Sequence, residues 1–213
     1  MSQTAIGFRS QSLELEGVLS LPEGGGPILG AVALCHAHPA LGGSMEEPVI
    51  LAMPRELAAH GIASLRFNFR GVGKSGGSFS NGEEEPQDVA AALDLLAAWP
   101  GIDKKRLGVA GYSFGALAML KGFGQLKKAR AFVFVSPPLS ALPESPVGKD
   151  KRPRLFLVGE RDRLVGAGLL RQKAALFAQP TPVEVTPGAD HAWRGREALV
   201  AQRAATFFAQ ELG

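Results

Sequence analysis

The sequence predicts an α/β fold: a mostly parallel central sheet of about 7–8 strands with helices on both faces. Three observations carry that expectation. Short apolar runs alternate along the chain with stretches that have helical spacing and helix start and stop signals. The run Ile28–Cys35 is apolar without alternation, as a strand covered on both faces should be. The run Leu107-Gly108-Val109-Ala110 leads through Gly111-Tyr112-Ser113-Phe114-Gly115 into the helix-like Ala116–Leu120, a G-x-S-x-G pentapeptide in a strand, turn, helix setting.

Taken in order, Ala5–Arg9 and Leu13–Leu21 read as an edge hairpin. Its second strand alternates Leu13, Leu15, Gly17, Leu19 and Leu21 and is closed by Pro22 and a turn at Gly24-Gly25-Gly26-Pro27. Ile28–Cys35 is the first buried strand. Pro48–His60 carries apolar residues at 50, 51, 53, 57 and 58 and stops at Gly61, which predicts a helix that Pro54 either kinks or opens. Ile62–Phe69 is a strand, followed by a glycine-rich loop. Glu83–Trp99 has acidic residues in its opening turn, Val89, Leu93 and Leu96 at helical spacing, and a stop at Pro100-Gly101, so a helix is expected. Arg106–Ala110 and Phe114–Gly122 are the strand entering and the helix leaving the pentapeptide. Ala131–Val135 is a strand cut off by Ser136-Pro137-Pro138, Leu155–Val158 another, Val165–Ala178 a helix, Val183–Val185 a short strand and Gly195–Leu212 the last helix. The stretch Ser136–Pro153 is too short for a helical cap and holds Pro137, Pro138, Pro143, Pro146 and Pro153, so an open site without a lid is expected. With no internal repeat or linker, residues 1–213 read as a single domain.

Composition excludes several classes. A chain of 213 residues that is 46% hydrophobic and 20% charged is globular rather than disordered. Its formal net charge of +3 is mild and no basic run carries interleaved aromatics, which argues against a nucleic-acid partner. Lys127-Lys128 with Arg130, and Lys149–Arg154, read as solvated loops beside strands. The single cysteine, Cys35, rules out an internal disulfide and reads as inert core. Met1–Ser10 lacks a basic-then-apolar signal and no apolar stretch reaches membrane-spanning length, so no membrane partner and a cytoplasmic location are expected.

The chemistry centres on Ser113. A serine hydroxyl is a poor nucleophile unless the backbone aims it at a base, which a sharp turn between a buried strand and a helix does. Glycines at 111 and 115 let strand and helix approach there. The amide of Phe114, at a helix N-terminus, is placed to stabilise an oxyanion. A sheet of this type presents functional residues at the C-terminal ends of its strands. Asp162 follows Leu155–Val158 in Gly159-Glu160-Arg161-Asp162-Arg163, and His191 follows the last strand in Gly188-Ala189-Asp190-His191-Ala192-Trp193. The order Ser113, Asp162, His191 is that of serine hydrolases built on such sheets. His191 is the candidate base and Asp162 the acid that orients it, with Asp190 and Glu160 as rivals for the acid.

With these residues in place the chain resembles the α/β-hydrolase superfamily over nearly all its length. It is more narrowly similar to small bacterial α/β-hydrolases related to dienelactone hydrolases. Cys35-His36-Ala37-His38-Pro39 through Gly42-Gly43-Ser44-Met45, and Asn68-Phe69-Arg70-Gly71-Val72-Gly73-Lys74-Ser75, carry the narrower likeness. Dienelactone hydrolases have cysteine at the elbow where this chain has Ser113, so the resemblance implies a serine esterase or related acyl hydrolase rather than dienelactone turnover.

The second oxyanion donor is expected in the loop after Ile28–Cys35. Pro39 has no N–H, which leaves Ala40 or Leu41. His36 and His38 lack an evident third ligand, so they read as imidazoles bracing that loop; no metal and no cofactor are expected. His60 ends a helix, where positive charge is favourable. Gly71-Val72-Gly73-Lys74-Ser75-Gly76 satisfies G-x-G-x-x-G after a strand, but Phe79-Ser80-Asn81-Gly82 continues the loop instead of opening a helix. A wall of the active site is the better account. Leu41, Met45, Phe79, Phe114, Leu164 and Trp193 are candidate pocket walls, with Arg70 or Arg163 as possible carboxylate binders. The expected partner is a small-molecule acyl substrate whose acyl group is uncharged and short to medium, cleaved by a monomer or homodimer. Thioesterase, small-peptidase or amidase action on the same residues, and a non-catalytic scaffold, are the alternatives.

Overall fold

A computed structural model of the chain describes residues 1–24 and 26–213. Gly25, in the turn expected at Gly24–Pro27, lies outside the described residues. Eight strands form one sheet: β1 (Ser2–Ser10), β2 (Leu13–Leu21), β3 (Gly30–Cys35), β4 (Ile62–Phe67), β5 (Leu107–Tyr112), β6 (Ala129–Val135), β7 (Arg154–Gly159) and β8 (Val183–Thr186). Their spatial order is β1-β2-β4-β3-β5-β6-β7-β8. The hairpin β1–β2 and the pair β2–β4 are antiparallel, and every other pairing is parallel. β1 starts at Ser2, ahead of the apolar pattern, because the ladder runs unbroken to the pair Ser2↔Leu21.

Helices α1 (Pro48–Ala59) and α5 (Glu197–Leu212) cover one face of the sheet, where Met53, Leu57, Val200 and Phe208 meet Val32, Leu34 and Val133. Helices α2 (Glu85–Ala98), α3 (Phe114–Lys121) and α4 (Ala167–Ala174) cover the other, where Val89, Leu93, Met119 and Leu170 join Ala33, Leu65, Phe132 and Phe156. α1 runs through Pro54, which lies on its buried side. α4 is shorter at both ends than its apolar pattern predicts. The Val165 amide is drawn to Asp162 instead of opening a helix, and the Ala178 amide bonds the Gly148 carbonyl.

Between β6 and β7 the chain makes only two 3₁₀ turns, Leu139–Ala141 and Pro146–Lys149, so no helical cap overhangs the sheet. The basic stretch Lys149–Arg154 is not the solvated loop its composition predicts. Arg154 is buried with its guanidinium on the carbonyls of Val147 and Asp150, and Arg152 lies over the rings of Phe123 and Phe132. Arg154 thus ties down the irregular 136–153 segment, and Arg152 donates to the carbonyls of Leu126 and Ala129 ahead of β6.

Candidate active site

At the C-terminal end of β5 the chain turns through Ser113 with φ 50° and ψ −105° and enters α3 directly. This is a left-handed conformation that a non-glycine residue adopts only under constraint. Three contacts supply it. The Ser113 amide bonds the Val135 carbonyl of β6 at 2.8 Å, and its own carbonyl accepts from Leu117 at 3.0 Å. A Cβ on Gly115 would overlap the backbone of Cys35, and one on Gly111 would overlap Met119 and Gly115, so the strand and helix close on each other only because both positions are glycine.

The turn aims the Ser113 hydroxyl at His191, with Oγ 3.0 Å from Nε2. His191 Nδ1 lies 3.0 and 2.9 Å from the two oxygens of Asp162. A carboxylate beside Nδ1 assigns the proton to that nitrogen, which leaves the Nε2 lone pair to accept from serine. Asp162 also accepts the amides of Leu164 and Val165 at 3.0 and 2.9 Å. Burial alone would raise its pKa, but interactions with His191, the Ser136 side chain and the Val165 amide hold the carboxyl below its ordinary range. Neither rival acid bonds the imidazole: Glu160 accepts from the Gly188 amide at 2.8 Å, and Asp190 Oδ1 is buried without a hydrogen bond. Tyr112 donates its hydroxyl to the His191 carbonyl at 2.7 Å and so fixes the histidine loop against β5, a contact no sequence signal announced.

These groups open onto a cavity of about 660 Å³, a size ordinary for small-ligand sites. Leu41 and Leu164 stand on its rim at 86% and 74% exposure, as expected of pocket walls, and Phe114 lines it. The other expected walls are corrected. Trp193 is fully buried, its indole N–H donating to Ser136 Oγ at 3.1 Å, because a backbone φ of 57° turns it into the core beneath the histidine loop. Met45 is buried and held through its backbone by Asn68 and Arg66. Phe79 stands behind the wall, its ring edge-on to His38 and Phe114 at centroid separations of 5.0 and 5.2 Å. Val49, Leu117 and Pro138 take the places these residues leave.

The expected oxyanion amides need a similar correction. Ala40 N–H donates to His38 Nδ1 at 3.2 Å and Leu41 N–H to the His38 carbonyl at 3.0 Å, so both are committed within a 3₁₀ turn. The amide of His38 has no such bond among the described residues, and His38 lines the cavity. Its orientation is set from both sides of the preceding residue. The His36 ring bonds the Ala37 carbonyl through Nδ1 at 2.7 Å, and the Ala37 amide donates to Glu47 Oε1 at 2.7 Å. His36 is buried, its pKa pushed down to about 4 by that burial, and its Nε2 accepts from the Phe69 amide at 3.1 Å. Both of its nitrogens are thus occupied, and among the described residues no group of three or more His, Cys, Asp or Glu is arranged to hold a metal. Glu47, invisible as a site residue in the sequence, lines the cavity with a carboxyl raised by burial to about 7.

The glycine-rich loop after β4 does not form a cavity wall. The Lys74 amide donates to Glu16 at 2.6 Å, Gly76 N–H to the Glu14 carbonyl at 2.8 Å and Ser75 Oγ to the Asn68 carbonyl at 2.7 Å, so the loop is stitched to β2. Arg70 is buried in a pair with Asp88 and is not placed to meet a substrate, whereas Arg163 is exposed beside the cavity. Among the described residues no helix is long and apolar enough to cross a membrane.

Comparison with known proteins agrees with this architecture. An uncharacterised protein of Rickettsia prowazekii (strain Madrid E) is 31% identical over 167 residues, 75% of this chain and 70% of that protein. An alpha-beta serine hydrolase homologue from Coxiella burnetii has a similar structure, with a TM-score of 0.85 and 27% identity over 97% of each chain. A serine hydrolase without lid from Xanthomonas campestris shares the fold at a TM-score of 0.81 and 24% identity, covering 99% of this chain and 94% of that one. The sequence profile of the alpha/beta hydrolase family matches residues 32–212, from the first parallel strand through the elbow to the last helix, and the chain belongs to that family.

Proposed function

We propose that this protein is a serine hydrolase that cleaves carboxylic esters of small to medium acyl groups through an acyl-enzyme, with Ser113 as nucleophile, His191 as general base and Asp162 as its orienting acid. The observation that carries the reading is the continuous path from Ser113 Oγ to His191 Nε2 at 3.0 Å and from His191 Nδ1 to Asp162 at 2.9 Å, opening on an apolar-walled cavity of about 660 Å³. The serine hydrolase homologue from Coxiella burnetii, at 27% identity, adds support.

In the proposed reaction His191 Nε2 removes the hydroxyl proton as Ser113 Oγ bonds the acyl carbon. The carbonyl oxygen becomes an oxyanion between the amides of Phe114 and His38. Collapse of this intermediate breaks the bond to the leaving oxygen, which takes the proton from His191 Nε2 and departs as the alcohol. Water then attacks the acyl-enzyme, giving its proton to His191. The second collapse releases the carboxylic acid and returns the proton to Ser113. Asp162 stays ionised throughout, stabilising the imidazolium. Thioesters and small amides present the same acyl carbon to the same groups.

The test is intact-mass analysis after exposure to a small uncharged fluorophosphonate, with peptide mapping and a His191→Ala control. One adduct, on Ser113 and dependent on His191, is expected. Absence of labelling in folded protein, or labelling indifferent to His191, overturns the reading in favour of a non-catalytic scaffold.

A further inference from the structure

On the histidine side the cavity continues into a second lobe of about 410 Å³. Its wall carries Arg161, Arg163 and Arg194, with Asp190 as its one carboxylate, and it shares Leu164, His191 and Arg194 with the main cavity. The backbone dictates this placement. Asp162 turns inward to His191, so its neighbours Arg161 and Arg163 turn outward, and Arg194 follows the buried Trp193. All three arginines are exposed, and none has an ion pair or side-chain hydrogen bond among the described residues. Arg66, Arg70, Arg152 and Arg203 each pair with a carboxylate, and the other exposed arginines with neither kind of bond, Arg9, Arg55, Arg130 and Arg171, lie outside both lobes. Among the described residues Asp190 forms no ion pair with any of the three, and the lobe holds three guanidinium groups against this one carboxylate.

The position of this lobe relative to the proposed chemistry gives it a meaning. The proton that His191 Nε2 takes from Ser113 must next reach the leaving atom, so the leaving group lies against the imidazole. The acyl chain then falls on the opposite side, against Val49, Phe114, Leu117 and Pro138, none of which lines the arginine lobe. Resting on the hydrolase reading above, we propose that Arg161, Arg163 and Arg194 form a leaving-group subsite for an anion, a carboxylate or a phosphate, carried by the alcohol or thiol portion of the substrate. Guanidinium groups match both anions with paired donors, and several lining one mouth also raise the encounter rate of anionic substrates. The acyl part remains the uncharged group expected from the sequence, and the negative charge, for which the sequence already makes Arg163 a candidate binder, belongs to the part that departs.

The experiment measures binding and turnover separately. Calorimetric titration of the wild type with 4-hydroxybenzoate, 4-hydroxyphenyl phosphate and the neutral 4-hydroxybenzamide reads the subsite without any reaction. At low salt the anions are expected to bind at least about fivefold more tightly than the amide, and the advantage should shrink at about 0.5 M salt, as exposed charge pairs require. The triple variant Arg161→Gln, Arg163→Gln, Arg194→Gln should abolish it. The acetate esters of the same phenols supply the kinetic arm. The ratio of kcat/KM for anionic over neutral ester should fall about fivefold or more from wild type to variant, a comparison that cancels the intrinsic reactivity of each phenol. An advantage confined to one anion assigns the subsite to that group. Equal binding of anions and amide, or an advantage that survives in the triple variant, overturns the proposal whether or not the esters are cleaved. Anion binding that needs the arginines, without turnover of any acetate, overturns the hydrolase reading and leaves the subsite standing.

Discussion

Two buried polar clusters sit at the C-terminal edge of the same sheet, and they differ in whether their hydrogen bonding closes on itself. Beyond β4, the Arg70 guanidinium meets Asp88 at 2.8–3.3 Å and Glu84 at 2.6 Å, while Asp88 also accepts the Ser10 hydroxyl at 2.6 Å and the Arg70 amide at 3.1 Å. Each charged group there is answered from within the chain, and the cluster joins β1, the β4 loop and α2. Beyond β5, β7 and β8, Asp162 is as fully answered, by two amides and an imidazole, yet its path runs out to a serine hydroxyl that faces a cavity. The same kind of buried carboxylate closes a cluster in one place and in the other leads to the hydroxyl proposed as the nucleophile. Burial and ion pairing therefore do not identify a site; an unspent polar atom at the end of a supported path does.

That contrast can be broken from either side. The largest effect is expected from Ser113→Ala, which should lower kcat/KM for a short-chain ester by about 10⁴-fold or more while leaving the melting temperature nearly unchanged. Asp162→Asn should cost about 10³- to 10⁴-fold by favouring the wrong imidazole tautomer, read as kcat on the same ester. If either variant kept its activity, the open cluster would be structural like the closed one. Arg70→Met works in the other direction. Leaving Asp88 buried and unpaired should cost about 3–5 kcal/mol in denaturant unfolding, with the activity of the folded fraction retained. A loss of activity without loss of stability would remove the distinction between the clusters.

Glu47 sharpens the comparison by lying between the two cases: it supports the Ala37 amide and also faces the cavity. Its folded pKa, raised from 4.5 to about 7 by burial, means that the native state holds an extra proton between those values. Stability from this group therefore increases as pH falls from about 7 towards 4.5, and the full cost of a charged buried carboxylate is present above about pH 8. Glu47→Gln should be more stable than the wild type at pH 8 by about 1–3 kcal/mol, with the difference falling to about a quarter of that at pH 5 and vanishing below about pH 4, as measured by unfolding at each pH. His36, whose pKa is depressed to about 4, destabilises both proteins equally in acid and drops out of the comparison. A pH-independent difference would show that Glu47 is solvated in the native protein.

Local pattern accounts for what was legible in the chain. Apolar runs and helical spacing identify each of the eight strands and five α-helices among the described residues to within a few residues, because burial on one or both faces of a layer leaves a period in the sequence. Ser113, Asp162 and His191 could be named together because each follows a strand, and parallel strands carry their C-terminal ends to one edge. Loop residues have no such period, and there sequence reasoning failed. Trp193 and Leu164 look equally like rim residues in the sequence; the first is core, at a backbone φ of 57°, and the second is exposed. Arg70 and Arg163 looked equally available, but Asp88, distant in sequence, claims the first. Ala40 and Leu41 lost their place as oxyanion donors to a 3₁₀ turn closed on His38. By itself, then, the sequence determined the order of layers and the strand ends that meet, since both follow from periodic burial. Only the tertiary structure decided which loop atoms are already bonded and which still face the cavity, because that depends on partners brought together from far along the chain.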